Sequence, residues 1–451
     1  MSTEFLRVHL VGIAGDGMAG LARLLWQGGA EVSGSDLCPS PKLREVAEWA
    51  EVRVGHAPAN LPAALDALVF SSAVRPDNPE LCAVRGRVPL FPRLYALRRL
   101  WAGRDLVAVV GTHGKTTTTT WLTHLLRQSG LVPGHYIGGQ VPGLPCASWG
   151  RDRLFVAEVD ESDGRFVHLS PKLAVLTSVD TDHLGTYRGF SGLQRAFAAF
   201  LARAERAVVA WDDPAVRAIA RTARARLSFG LEKGADFQAR GLRFRGERAF
   251  FELWAFGRSW GEVEVPGPGV HNVRNALAAL AAGHALGLSL PEMMAHLPSA
   301  PRPRRRLEIL EENGYLVVDD YAHHPTELAA GLSALRRGWP GRRIVAVFQP
   351  HRYTRTALLA EAFGAVLARA DWAVVTEVYP AFEAPQPGVS GRRVAEAARR
   401  HGGRALFRPH LLQALDTAAA LIRPGDIVVC FGAGDIWKLS REMARALSSG
   451  S

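Results

Sequence analysis

The sequence predicts an α/β protein of three domains. Short strand-like runs alternate with alanine- and leucine-rich helical runs along all 451 residues, the pattern of parallel sheets covered by helices. Two breaks divide the chain. A basic helical stretch ends at Gly103 before a new strand, and the segment 298–305 (PSAPRPRR) carries prolines that cannot sit inside a helix. The expected domains are therefore 1–103, 104–301 and 302–451, in line with roughly 100–200 residues per domain.

Taken in order, Arg7–Val11 is the first strand. Leu106–Val110, Leu154–Val159, Leu173–Val179 and Ala207–Ala210 read as strands of the middle domain. Leu316–Asp320, Ile344–Phe348, Trp372–Val378 and Asp426–Phe431 read as strands of the last. Residues 230–265 differ from their surroundings. The alternation of aromatic and charged residues in FRGERAFFELWAFGRSWGEVEV predicts a small antiparallel part within the middle domain.

Bulk properties exclude several classes. There is no apolar run of about 18 residues, so no membrane span is expected, and MSTEFLRVHLVG lacks the basic and apolar regions of a signal peptide. The four cysteines, Cys38, Cys82, Cys146 and Cys430, are far apart, which argues against a disulfide framework or zinc site and fits a cytoplasmic protein. The formal charge is +11. It is spread along the chain, which suits small polyanions such as nucleotides, and no nucleic-acid partner is expected. Only five lysines occur, at 42, 115, 172, 233 and 438, so a lysine inside a glycine loop stands out.

That loop is Gly111-Thr112-His113-Gly114-Lys115-Thr116-Thr117, between the strand Leu106–Val110 and a helical run. Glycines let backbone N–H groups approach phosphate oxygens, and the following helix start adds partial positive charge. Lys115 can reach the β- and γ-phosphates, and the Thr116 hydroxyl can ligate magnesium. The loop is shortened against the general phosphate-loop pattern, since Val109 stands where the first glycine usually falls. A second loop follows the first strand, where Gly15, Gly17 and Gly20 fit GxGxxG and Asp36 ends a plausible second strand. This is a Rossmann-like start. Taken alone it fits NAD, the pyrophosphate of a nucleotide sugar, or a turn without ligand.

Two acidic clusters, 158–163 (EVDESD) and 180–183 (DTDH), end strands of the middle domain. Ligands of open α/β sheets bind at the carboxyl ends of strands, so both clusters should stand near the phosphate loop. Magnesium takes oxygen ligands and substrate phosphates, so a carboxylate there is apt.

The ordered segments VGIAGDGMAGLA, VSGSD, SSAV, GTHGKTTTT, EVDESD, SVDTDHLGTY, PGPGVHNVRNALAA, DDYAHHPTE, FQPHRYTRT, VYPAFEAPQPGVS and FGAGDIW resemble the Mur ligase family of peptidoglycan synthesis. The resemblance covers the whole chain. It implies a Rossmann-like N-terminal domain for a UDP-sugar, a P-loop central ATPase domain and a Rossmann-like C-terminal domain for the incoming amino acid. It also implies that ATP activates the lactyl carboxylate of UDP-N-acetylmuramate and that L-alanine takes the acyl group, in a monomer or weak homodimer. ATP and Mg2+, with Mn2+ as substitute, are the expected cofactors.

By the same resemblance, Gly111, Thr112, His113, Gly114, Lys115, Thr116 and Thr117 hold ATP phosphates, and His271, Asn272, Asn275, Arg305 and Asp320 complete the nucleotide contacts. Read without the family, Asn272 is a possible helix cap. Thr116, Glu158 and His183 look like magnesium ligands. Gly15, Gly17, Ser35, Asp36, Ser71 and Ser72 are expected around the UDP-sugar. Tyr321, His323, Arg352 and Arg355 are expected around alanine and the reacting carboxylate. Lys115, His183, Arg352 and Arg355 are the expected catalytic groups. The chain departs from the family at Ser178 and Thr181, where asparagine and alanine are commoner. No lysine lies in 184–213, so no carbamylated lysine is expected and a second metal would need other ligands. The rivals are a ligase that recycles a preformed tripeptide onto the same sugar and an NAD-dependent oxidoreductase. FQPHRYTRT argues against the first. The second leaves GTHGKT and both acidic clusters without a role.

Overall fold

The computed structural model describes residues 5–181, 184–312 and 314–448. It contains three α/β domains. In the first, β1 (Arg7–Val11), β2 (Glu31–Asp36), β3 (Glu51–Val54), β4 (Ala67–Phe70) and β5 (Leu90–Pro92) form a parallel sheet in the order β3-β2-β1-β4-β5. The order reverses between β1 and β4. The crevice beyond the carboxyl ends of that pair is the switch point where an open α/β sheet takes its ligand.

The middle sheet has ten strands. They are β6 (Asp105–Val110), β7 (Gly134–Tyr136), β8 (Ala147–Ser148), β9 (Leu154–Glu158), β10 (Leu173–Leu176), β11 (Arg206–Ala210), β12 (Arg226–Gly230), β13 (Phe237–Arg245), β14 (Arg248–Ala255) and β15 (Arg258–Val265). The order is β15-β14-β13-β12-β11-β10-β6-β9-β7-β8, with β10, β6 and β9 parallel at the centre. Val107, Ala108, Val109 and Val110 are fully buried, as an unbroken apolar run in a sheet covered on both faces requires. The short turns at Gly246 and at Phe256–Gly257, all with positive φ, make β13, β14 and β15 the expected hairpins.

The last sheet is β16 (Glu308–Glu311), β17 (Leu316–Asp320), β18 (Ile344–Phe348), β19 (Trp372–Val375), β20 (Ala405–Phe407) and β21 (Ile427–Phe431), in the order β16-β17-β21-β18-β19-β20. Only β16 runs antiparallel to its neighbour. Val318, Ala346, Phe348 and Phe431 enter one apolar core, while Val317, Val347, Val374 and Cys430 enter another on the opposite face. The strands thus alternate sides while staying apolar on both. Asp320, Phe431, Phe348 and Val375 pair across the sheet, so the loops after β17, β18 and β19 start level.

Three strands end earlier than expected, β9 by one residue, at Glu158 rather than Val159, and two by three residues. β10 stops at Leu176 rather than Val179, and β19 at Val375 rather than Val378. Thr177, Ser178 and Asp180 instead bind the phosphate loop. Among the described residues no helix is long and apolar enough to cross a membrane. The chain separates into two compact units: Met1–Gly241 with Phe251–Val263 and Arg274–Pro301, and Leu242–Phe250 with Glu264–Val273 and Arg302–Ser451.

Candidate active site

In the first unit, β6 leads into the loop 111–114 and the helix Lys115–Gln128. Gly111 and Gly114 have φ of 127° and 84°, left-handed values that favour glycine. A Cβ on Gly111 would also meet Thr177 Oγ1 at 2.4 Å, and one on Gly114 would meet Asn275 Oδ1 at 2.4 Å. The segment after β10 straps the loop down. Thr112 N–H donates to Ser178 O (3.1 Å), His113 N–H to Ser178 Oγ (2.9 Å), Thr177 Oγ1 to His113 O (2.6 Å) and Asp180 N–H to Thr112 Oγ1 (2.9 Å). His113 Nε2 lies 3.0 Å from Asp180 Oδ2. The threonine run after the loop suits a helix poorly, but Thr120 and Thr123 donate back to the carbonyls of Thr116 and Thr119. Thr117 is buried in the first turn.

Lys115 folds over the loop. Its ammonium donates to Gly111 O (2.5 Å), Thr112 O (3.2 Å) and both oxygens of Glu161 (2.9 and 3.1 Å). Burial alone would lower its pKa, but Glu161, Asp160 and Glu158 outweigh it and raise it, so the charge is retained. Beside it, Thr116 Oγ1 donates to Glu158 Oε1 (2.9 Å) and Gly138 N–H to Glu158 Oε2 (2.7 Å). A Cβ on Gly138 would meet that carboxyl carbon at 2.9 Å, so glycine is what lets the backbone orient it. His183, the third expected metal ligand, lies outside the described residues.

In the first domain, Gly12 and Ile13 donate N–H groups to Ser35 O, and Ala14 N–H donates to Asp36 Oδ2 at 2.9 Å. The end of β2 thereby holds the glycine loop. Gly15 meets nothing closer than Gly12 O at 3.5 Å and is open to a ligand. Gly17 and Gly20 are glycine for another reason. A Cβ on Gly17 would strike Arg93 Nη1 at 2.2 Å and Tyr136 Oη at 2.8 Å, and one on Gly20 the Tyr136 ring at 2.9 Å. Tyr136 Oη–H donates to Gly17 O (2.7 Å), and Arg93 pairs with Asp160 at 2.8 Å. The close approach at Gly17, expected from a substrate, comes from the protein itself. Ser71 N–H donates to Val11 O (3.2 Å) and its hydroxyl accepts from Ala73 N–H, with Ser72 exposed beside it.

Ser35 is a correction. Its side chain was expected to face substrate, but it is fully buried, and its hydroxyl donates to Glu80 Oε2 at 2.5 Å. Glu80 also accepts from Ala57 N–H (3.1 Å) and Asn60 Nδ2 (2.6 Å), and lies 3.5 Å from His9 Nε2 and 3.6 Å from His56 Nδ1. Burial would raise the Glu80 pKa, but the adjacent His9 imidazole and the hydrogen bonds from Ser35 and Asn60 bring it from the ordinary 4.5 down to about 2. A carboxylate with a depressed folded pKa contributes stability that is complete above pH 4.5 and is lost as the pH falls to about 2. The contribution is about 3 kcal/mol at 1.36 kcal/mol per pKa unit. Denaturant unfolding across that window should show a slope that Glu80→Gln largely removes.

In the second unit, Tyr321 and His323 follow β17, His351, Arg352 and Arg355 follow β18, and Tyr379 follows β19. The Tyr321 and His323 rings meet edge-on at 5.4 Å, His323 lies 5.9 Å from His351, and His351 stacks on Tyr379 at 5.7 Å and 8°. Arg355 Nη1 is 3.4 Å from His351 Nδ1, and the Arg305 and Arg306 guanidinium carbons lie 5.0 and 5.5 Å from the centre of the Tyr321 ring, within cation–π range. Burial, then His323, Arg355, Arg352 and Arg305, push the His351 pKa down to about 3, so its imidazole is neutral at physiological pH. Arg305 and Arg352 have φ of 57° and 70°, a strain of about 1–3 kcal/mol each, of the kind held at functional sites. Such a basin of guanidinium groups can grip a carboxylate.

Asp320, expected to face nucleotide, turns inward. It accepts from Leu307 N–H (2.8 Å) and Ala322 N–H (2.7 Å), and burial pushes its pKa up to about 6. Asn272 is not a cap. The helix is Val270–Ala285, so Asn272 lies in its first turn, and its Nδ2 donates to Pro268 O at 2.9 Å. His271 is its neighbour in that turn, and Asn275 abuts Gly114 as noted. Sequence reasoning assigned no role to Glu161, Asp180, His351, Tyr379 or Glu80. The first four lie in segments already singled out, directly after strands, and that position was the available signal.

Residues 7–104, 109–283 and 305–434 match, in turn, the Mur ligase family catalytic domain, the Mur ligase middle domain and the Mur ligase glutamate ligase domain. The chain belongs to the Mur ligase family, whose members are ATP-dependent ligases. It is 42% identical to the UDP-N-acetylmuramate–L-alanine ligase of Thermobifida fusca, over 98% of this chain and 96% of that one. It is 41% identical to the ligase of the same name from Halorhodospira halophila, over 98% and 94%. The crystal structure of the UDP-N-acetylmuramate-alanine ligase of Thermotoga maritima matches with a TM-score of 0.86 at 28% identity, covering 99% of this chain and 100% of that one.

Proposed function

We propose that this chain is the enzyme that joins L-alanine to the lactyl carboxylate of UDP-N-acetylmuramate at the expense of ATP, in cytoplasmic peptidoglycan precursor synthesis. The observation that carries the reading is its near-full-length likeness to ligases of that name. Residues 1–103 take the UDP-sugar, 104–301 the ATP and 302–451 the alanine, in a monomer or weak homodimer. Gly15, Asp36, Ser71 and Ser72 lie at the carboxyl ends of β1, β2 and β4, where the sugar nucleotide enters.

A carboxylate oxygen attacks the γ-phosphorus and ADP leaves, giving an acyl phosphate. The free amine of alanine then attacks the carbonyl carbon and phosphate departs with the former carboxylate oxygen. Lys115 and the N–H groups of 111–117 balance charge on the transferred phosphoryl group. Thr116 and Glu158 present two hard oxygens at 2.9 Å, a donor pair that fits magnesium; with His183 they would hold it. Bound there, it supplies charge neutralisation on the phosphates. Asn275, His271, Asn272 and Arg305 would border the nucleotide. Arg352 and Arg355 orient the carboxylates, with Tyr321 and His323 walling the acceptor.

ADP formation with UDP-N-acetylmuramate and each amino acid in turn tests this. Alanine should give the highest kcat/KM. A preference for the tripeptide over alanine would favour the recycling reaction, and turnover of NAD without ATP would remove the ligase reading altogether. Gly138→Ala is expected to raise the Mg2+ concentration for half-maximal activity about tenfold, the lower scale for losing an outer hydrogen bond to a metal-binding carboxylate. Titrating Mg2+ at saturating ATP measures it.

A further inference from the structure

We infer that Glu80 is a positioning residue for the sugar nucleotide: from beyond β4 its carboxylate reaches Ser35 in β2 and the loop after β3, and fixes His56 as a hydrogen-bond acceptor facing that substrate. The inference rests on the first domain being the UDP-sugar domain. Glu80 begins the second residue of the helix Pro79–Val84, after β4, yet its partners are Ser35 in β2, His9 in β1, and His56, Ala57 and Asn60 after β3. One side chain therefore bridges the two sides of the switch point.

Among these partners the ionised acid is favoured over the protonated one, but fold stability alone would not select a charge here over an apolar side chain. Glu80, His9 and Ser35 are all 0% exposed, and burying a carboxylate costs several kcal/mol that apolar packing of similar volume would avoid. The hydrogen bonds supply a different reason. Ser35 has one hydroxyl proton, and it goes to Glu80 Oε2. The 2.8 Å contact between Ser35 Oγ and His56 Nδ1 must then be donated by His56. The Nδ1–H tautomer leaves Nε2 as an acceptor, the arrangement by which a carboxylate sets the free edge of an imidazole. The His56 side chain keeps about a tenth of its surface exposed, at the carboxyl end of β3. An acceptor held in this way suits a donor of the nucleoside, a uracil N–H or a ribose hydroxyl.

The test compares wild type, Glu80→Gln and Ser35→Ala by steady-state kinetics, by calorimetric titration with UDP-N-acetylmuramate, and by thermal unfolding. Glu80→Gln should raise KM for UDP-N-acetylmuramate at least tenfold, with KM for ATP and for alanine within twofold of wild type. Ser35→Ala cuts the same relay while leaving the acid, and should shift the same KM in the same direction. A purely structural role would lower Tm and leave the three KM values alone, or move all three alike, and either result overturns the inference. If Glu80→Gln does not fold, Ser35→Ala decides the matter by the same criterion. A wild type that fails to bind the sugar nucleotide overturns the functional reading and this inference with it. A wild type that binds, beside variants that bind equally well, overturns this inference alone.

Discussion

Lys115→Ala is expected to lower ligase turnover on the order of 10³-fold, the upper scale for removing one preorganised donor from a centre where charge develops. The ammonium is already seated in the loop by Gly111 O and Thr112 O and is kept charged by Glu161, so a cation stands beside the phosphate loop before ATP arrives. The same substitution takes the ammonium away from both carboxylate oxygens of Glu161, which is 2% exposed. Breaking a buried pair by removing one partner costs about 3–5 kcal/mol, so Tm should fall too. Adding Glu161→Gln separates the two effects: stability should return and turnover should not. If turnover recovered with stability, Lys115 would be a structural residue and the charge argument would fail.

Glu158→Gln is the second large effect, a loss of about 10²- to 10³-fold. The carboxylate receives a hydroxyl proton on one oxygen and an N–H on the other. A glutamine amide can keep both contacts, its oxygen accepting from Gly138 N–H and its NH2 donating to the Thr116 hydroxyl, but it carries no charge for a divalent cation. The variant should need far more Mg2+ at an almost unchanged Tm. An unaltered Mg2+ requirement would contradict the assignment of Thr116 and Glu158 to the metal.

The fold was legible wherever burial left a continuous apolar run. β1, β6, β9, β10, β17, β18, β19 and β21 were readable because sheets covered on both faces need such runs, and the hairpins β13–β15 because one face of each alternates. The edges were not. β3 is mostly exposed, while β7, β8 and β20 have three residues or fewer, too short for any periodicity. Ends were misread where a strand hands over to a binding segment. Residues 177–179 look like more of β10, yet Thr177 and Ser178 serve the phosphate loop.

The candidate site shows the same division. Loops that follow strands marked the neighbourhood, so Lys115, Thr116 and Glu158 were expected and stand together. Pairings between distant segments carried no local signal. Nothing in EVDESD says that Glu161 faces Lys115 while Asp160 faces Arg93. Nothing near Ser35 says that its hydroxyl is taken by a glutamate 45 residues on. Nor does the glycine pattern say that Arg93 and Tyr136 stand where a Cβ on Gly17 would go.

The most direct measurement follows the oxygen. UDP-N-acetylmuramate labelled with ¹⁸O in its lactyl carboxylate, turned over with ATP, Mg2+ and alanine, should place one labelled atom in each inorganic phosphate released, because the carboxylate attacks the γ-phosphorus and the amine then expels that oxygen. Ligated product accompanied by unlabelled phosphate, or by label in AMP, would contradict the account.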